Sequence, residues 1–372
     1  MQLFDYVDRE KLMQQIADGM VKEQVHPSLP LRILNYTAKA QFTPELWNEV
    51  TDKCRGLIVN SQTGEIVARP FQKFWNFSDL RHQETMPENF PATVPSITRK
   101  FDGSLGILYC YEGKWAVATR GSFTSDQALW ATNWFSKHPG FYPFPFMWPD
   151  GFTPLVEIIF PENQIVVKYD WSGLVLLTGV RIATGEEMTR EVLEQLAERN
   201  SLRLVDQFDK SIDVCVVEDV ENEEGYVVAW YRPGTWPLRV KVKMDTYCRL
   251  HRLLTGTNPV TVWEMLRDGL DLTTVTTDVP ADFAAWINSV ESSLLSAYKV
   301  IQDAALAAML EYEGEKIITT PKQRKQFALW AVAKPPLTPI LFAILDGKNY
   351  APIIWKMVRP KVTDTFKVDI DL

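Results

Sequence analysis

Short apolar runs, broken every few residues by turn formers, dominate the first 250 residues. Leu105–Tyr111, the pair Glu112-Gly113 and Lys114–Thr119 have the alternation and central turn of a β-hairpin. Ile165–Tyr169 followed by Leu174–Val180 across Asp170–Gly173 predicts a second hairpin, and Gly225–Tyr231 followed by Leu238–Lys243 across a Pro-Gly turn a third. Helical spacing marks Asp8–Met20 and Thr189–Arg199, the latter opening on a capping threonine. After about residue 250 the period changes. Beyond the junction Gly256-Thr257-Asn258-Pro259, apolar residues in 281–313 (Phe283, Trp286, Ile287, Val290, Leu294, Tyr298, Ile301) recur at helical spacing. Gln323–Ala333 and Ile340–Leu345 are shorter helical candidates. The expected fold is α+β, with antiparallel sheets and flanking helices over residues 1–250 and a mainly α-helical domain over 257–372.

Composition narrows the class. The chain of 372 residues is 46% hydrophobic and 23% charged, as a soluble two-domain protein would be, and no apolar run is long enough to span a bilayer. Its N-terminus lacks the basic start and apolar centre of a signal peptide. Four scattered cysteines and four isolated histidines argue against a zinc site and for a reducing, cytoplasmic setting. Net charge is −8, so affinity for a polyanion must come from a local patch. Residues 316–361 supply one, with nine basic residues, Lys316 to Lys361, against the single acid Asp346, interleaved with Phe327, Trp330, Tyr350 and Trp355. Such a surface can track phosphates and stack on bases, or it can be a solvated helical face over an aromatic core.

Candidate chemistry centres on Lys100-Phe101-Asp102-Gly103-Ser104, where a strand-end lysine, expected to face solvent, is followed by an acid and a glycine for a sharp turn. A lysine attacks a phosphate only as the neutral amine, and nearby cations favour that form. Lys241 and Lys243 alternate along one strand and so share a face, which suits either a triphosphate or plain solvent. Glu157, an acid inside Leu-Val-Glu-Ile-Ile-Phe, needs a partner or a sheet edge. Glu224, before Gly225, could hold a metal's water shell together with Glu157, or simply end a turn.

In order and spacing these segments resemble the covalent nucleotidyltransferases, and within them the phage-type tRNA-repair RNA ligases, the type 1 RNA ligase family, over about residues 33–270. The flanking segments that carry the likeness are Ile33-Leu34-Asn35-Tyr36, Cys54-Arg55-Gly56, Lys73-Phe74-Trp75-Asn76 and Thr119-Arg120-Gly121. The resemblance implies that Lys100 becomes adenylylated with Asp102 assisting, and that Tyr36, Arg55, Lys73 and Arg120 bind nucleotide. It implies Glu157 at the ribose, Glu224 near the metal, Lys241 and Lys243 on phosphates, and a functional Tyr247. Arg120 stands where the family has lysine, a different donor. The family's metal-binding aspartate aligns with Leu272, with Asp271 adjacent as the candidate. The expected function is ATP-dependent joining of RNA 5′-phosphate and 3′-hydroxyl ends through lysyl-AMP and RNA-adenylate, with Mg²⁺ or Mn²⁺. Substrates would include cleaved tRNA, in the cytoplasm of an infected cell if the chain is phage-encoded. The rivals are a DNA ligase, a GTP-using capping enzyme, and a non-catalytic RNA-binding protein with a relic pocket.

Overall fold

The computed structural model describes residues 1–43, 46–138, 146–313, 318–361 and 363–366, and the chain divides into two compact units, Met1–Arg249 and Leu250–Val368. Lys316 of the basic run lies outside the described residues.

The first unit is built on strands β1 (Val21–Val25), β2 (Leu31–Tyr36), β3 (Arg55–Asn60), β4 (Ile66–Ala68), β5 (Trp75–Asn76), β6 (Ser96–Lys100), β7 (Ser104–Tyr111), β8 (Lys114–Ala118), β9 (Phe152–Ile159), β10 (Gly173–Arg181), β11 (Arg203–Leu204), β12 (Gln207–Phe208), β13 (Gly225–Trp230) and β14 (Leu238–Lys243). Among the described residues they form three sheets, in the orders β1-β2-β3-β4, β11-β10-β9-β7-β8 and β12-β6-β13-β14-β5. Leu31, Ile33 and Ile58 of the first sheet share a core with Ile107, Leu155 and Val180 of the second, whose other face packs on the helices Asp126–Ser136 and Arg190–Arg199.

The fold is α+β, and its sheets are mixed: β11 runs parallel to β10 and β5 parallel to β14, while the other pairings are antiparallel. The first and third expected hairpins form, as β7–β8 and β13–β14. The second does not. β10 pairs with β9, and Ile165–Tyr169 is not a strand. The reason lies in its backbone: the N–H groups of Val166 and Val167 both donate to Asp102 Oδ2 at 2.8 Å, so they are unavailable to a ladder. The helix expected over Asp8–Met20 runs Arg9–Ala17, with Asp8 capping Lys11, and the Thr189 side chain makes no capping hydrogen bond.

The second unit is helical. Ala281–Glu311 is one long helix, followed by Pro321–Val332, Thr338–Leu345 and Ala351–Met357, around a core of Ala305, Phe327, Ala331, Ile340, Leu341 and Ile354.

Candidate active site

Strand register brings the first charges together. On the third sheet Gly225 lies between Lys100 of β6 and Lys243 of β14. Because Gly225 has no side chain, and its Cβ would stand 2.0 Å from the Val242 carbonyl oxygen, the two flanking lysines can converge on the preceding residue. Oε1 of Glu224, a residue only 2% exposed, is 2.7 Å from Lys100 Nζ and 2.9 Å from Lys243 Nζ. The Lys100 side chain is 16% exposed, so it does not face open solvent as a strand-end lysine would be expected to.

Asp102 fixes the turn behind the lysine. Its Oδ1 accepts from the Tyr247 hydroxyl at 2.9 Å, its Oδ2 takes the two amides of 166–167, and its own N–H donates to the Tyr169 hydroxyl at 2.8 Å. Burial, and then the Glu224 carboxylate, push its pKa above the ordinary aspartate value against those donors. Gly103 serves a different end from a reversed turn. A Cβ there would meet the Ile158 carbonyl oxygen at 2.6 Å and Glu157 Cγ at 3.0 Å, so glycine permits close approach to β9 and to Glu157.

A second cationic cluster surrounds Tyr36. Arg120 donates to its hydroxyl at 2.6 Å and Lys73 at 3.3 Å, so arginine here makes the closer bond. Lys73 also lies over the rings of Tyr36, Trp47 and Trp75 at 4.8 to 5.3 Å. Burial would raise the Tyr36 pKa, but Arg120, Arg55 and Lys73 outweigh it and hold the phenol below its usual value. Burial lowers the Lys73 pKa, with Arg55 adding to the fall and Tyr36 opposing it. Beside them, burial and then Glu84 push Asp52 up to about 6. A carboxyl raised in the fold binds protons more tightly folded than unfolded, so it costs stability as pH rises from about 4 to 6 and that cost persists above. Asp52→Asn should therefore melt above the parent at pH 7.5, by up to about 3 kcal/mol, with the difference vanishing near pH 4. Thermal unfolding of the two proteins at both pH values checks it; a difference independent of pH would contradict the raised carboxyl.

Between the second and third sheets lies a cleft of about 970 Å³ including its open mouth, lined by Lys100, Asp102, Glu157, Glu224, Lys241 and Arg55 among others. Its size suits a nucleotide-sized ligand. Lys241 lies over the Phe74 ring at 5.1 Å and Arg55 over the same ring at 5.8 Å, which brings two cations to one wall. A family model described as RNA ligase matches residues 53–247, just over half of the chain.

The chain belongs to the RNA ligase family.

Among related members, a putative RNA ligase of Thermovibrio ammonificans is 27% identical over 209 residues, covering 54% of this chain and 53% of that protein. A putative bifunctional polynucleotide kinase/RNA ligase of Autographa californica nuclear polyhedrosis virus is 28% identical over 276 residues, covering 67% and 38%. RNA ligase 1 of bacteriophage TS2126 is 26% identical over 250 residues, covering 62% and 59%. The chain thus spans about half the length of the curated relatives it matches.

Within this family member, Asp271 lies in the second unit, where its carboxylate accepts from the Thr273 N–H at 2.9 Å at a helix start. No group of three or more His, Cys, Asp or Glu residues that could hold a metal occurs among the described residues. The donor set of the cleft, Glu157 and Glu224 with open space beside them, fits a Mg²⁺ that keeps its waters and takes its other ligands from phosphates. Sequence reasoning missed Tyr169, the amides of 166–167 and the ion pair of Arg239 with Glu187. Only Arg239 left a signal, since it continues the alternation of Lys241 and Lys243.

Proposed function

We propose that this protein is an ATP-dependent RNA ligase that joins RNA 5′-phosphate and 3′-hydroxyl ends through a lysyl-adenylate on Lys100. The observation that carries this reading is the convergence of Lys100 and Lys243 on the buried Glu224 at a nucleotide-sized cleft. An ammonium is no nucleophile, and Glu224 Oε1 is within hydrogen-bond reach to accept its proton. The neutral Nζ then forms a bond to the α-phosphorus of ATP, the bond to the β-phosphate oxygen breaks, and pyrophosphate leaves. An RNA 5′-phosphate displaces the lysine to give RNA-adenylate, and an RNA 3′-hydroxyl displaces AMP. Bound Mg²⁺ or Mn²⁺ would neutralise phosphate charge, held through water by Glu157 and Glu224. Lys241, Lys243 and Arg55 stabilise the charge that moves on the phosphate oxygens in each step, and the cluster of Tyr36, Lys73 and Arg120 supplies further phosphate donors. Asp102 and Tyr247, bonded to one another, hold the lysine-bearing turn in place.

Incubation with ATP and Mg²⁺, then with GTP, followed by intact mass measurement and peptide mapping, tests the reading. An AMP adduct on Lys100, discharged when a 5′-phosphate oligoribonucleotide is added, is expected. A GMP adduct alone would assign a capping activity, and no adduct would leave a non-catalytic RNA binder.

We assign RNA recognition to the second unit, with cleaved tRNA as the candidate substrate and the cytoplasm as the setting. No described helix is long and apolar enough to cross a membrane. Lys322 and Lys325 are exposed on the helix Pro321–Val332. Replacing both by glutamate should weaken RNA binding and flatten its dependence on log salt by about two. Filter binding at several salt concentrations measures this; an unchanged slope would make the patch a solvated surface.

A further inference from the structure

The two residues that carry the proposed chemistry stand where strand pairing stops. Lys100 is the last residue of β6 and Gly225 the first of β13, and their pairing is the final rung of that ladder. Glu224 and the turn after Lys100 both lie beyond it. Ladder ends fray, because no further rung holds them. Lys100 Nζ nonetheless meets Glu224 Oε1 at 2.7 Å. One segment, 163–169, between β9 and β10, reaches the chain on both sides of that contact.

On the lysine side, the Ser104 hydroxyl donates to Asn163 Oδ1 at 2.9 Å, and Asn163 Nδ2 donates to the Ile158 carbonyl oxygen at 2.8 Å. The amides of Val166 and Val167 and the Tyr169 hydroxyl hold Asp102, two residues after Lys100. On the carboxylate side, the Lys168 N–H donates to Asn222 Oδ1 at 2.7 Å, and Asn222 Nδ2 donates back to the Lys168 carbonyl oxygen at 3.0 Å. Asn222 stands two residues before Glu224, and its side-chain amide does there what a rung of a sheet would do. It holds a left-handed turn at φ +60°, which asparagine tolerates better than most residues. A second tie joins the residues just before each partner, Arg99 Nη1 to Glu223 Oε1 at 2.5 Å, but it links two long side chains, whereas Asn222 grips backbone. Asn222 and Lys168 are exposed, and neither lines the cleft. Their two bonds compete with water, so they add little to the stability of the fold.

We propose that segment 163–169 is a clasp that fixes the separation of Lys100 and Glu224, and that Asn222 is a positioning residue for transfer of the Lys100 Nζ proton to Glu224 Oε1; the assignment rests on the nucleotidyl-transfer reading above. A hydrogen bond is lost once its atoms part by about 1 Å beyond contact, so a small shift of the Glu224 turn is enough to break this one. Asn222 acts through Glu224 and touches no substrate. Its loss therefore shows in the rate of adduct formation at saturating ATP and not in the affinity for ATP.

The test measures single-turnover lysyl-adenylate formation over a series of ATP concentrations with Mg²⁺, in the wild type, Asn222→Gly, Glu224→Gln and the double variant. Glycine keeps the left-handed turn and removes both bonds. Asn222→Gly should lower the saturating rate about tenfold and leave the half-saturating ATP concentration within about twofold, with an unchanged thermal melt. In the Glu224→Gln background the same substitution should cost less than about twofold, because the group it positions is already gone. Asn222→Asp keeps the bond from the Lys168 N–H, so it should lose only about threefold, and it takes the place of the glycine variant should that fail to fold. A wild type that forms the adduct while Asn222→Gly matches its rate overturns the clasp alone. So does a loss seen only in the half-saturating concentration, or an equal loss in both backgrounds, which would mark a general structural role. A wild type that forms no adduct with any nucleoside triphosphate overturns this assignment together with the reading beneath it.

Discussion

Lys100→Ala should form no nucleotide adduct, because Lys100 stands at the cleft on the buried Glu224, while Lys243 approaches that carboxylate from β14, on the far side of Gly225. The expected loss is complete within detection, since the step requires a P–N bond to this nitrogen. Folding should survive. Glu224 keeps its contact with Lys243, so the substitution does not strand a buried charge. Intact mass after ATP and Mg²⁺, with a thermal melt as control, decides the matter. An adduct of unchanged yield at another lysine would refute the role of Lys100. Addition of pre-adenylylated 5′-phosphate RNA separates the steps, because joining of that substrate by Lys100→Ala should persist.

Glu224→Gln should have the next largest effect, on stability and activity together. Both ammonium groups touch one oxygen, so they lie within about 5.6 Å of each other. Without the negative charge their repulsion amounts to about 3 kcal/mol at an effective dielectric of 20, in line with the loss of about 3–5 kcal/mol seen when one partner of a buried pair is removed. Melting should therefore fall. Activity sets two accounts of Glu224 apart. If the carboxylate only held Lys100 protonated, its removal would speed adduct formation. As proton acceptor and holder of the metal's water shell, its loss should slow the reaction by roughly 100-fold. A variant with parental melting and an equal or faster rate would exclude the proposed role.

Much of this arrangement was legible in local pattern. Hairpins β7–β8 and β13–β14 follow from alternation around Glu-Gly and Pro-Gly turns, because the side-chain period of a strand is two and a tight turn fixes its partner. The same period puts Arg239, Lys241 and Lys243 on one face of β14. The motif Lys100-Phe101-Asp102-Gly103 marked the lysine proposed to attack phosphate, and the order of the flanking segments pointed to the family to which the chain belongs.

What only tertiary structure decided were the contacts across large separations in the chain. Ile165–Tyr169 has the composition of a strand, but the Asp102 side chain takes two of its amides, one oxygen displacing the carbonyls of a ladder. That capture frees β10 to pair with β9. Similarly, Lys243 reads locally as an exposed strand residue, yet the pairing of β6, β13 and β14 brings it to the buried Glu224 opposite Lys100. Thr178 carried no local mark, and Arg239 only its place in the alternation of β14, because a buried polar atom is unusual only once its surroundings are assembled. Sequence thus determined the hairpins β7–β8 and β13–β14 and the face that the charges of β14 share, since both depend on neighbours two residues apart. Which charges meet depended on sheet register and on side chains reaching across tens of residues, where burial makes each pairing energetically decisive.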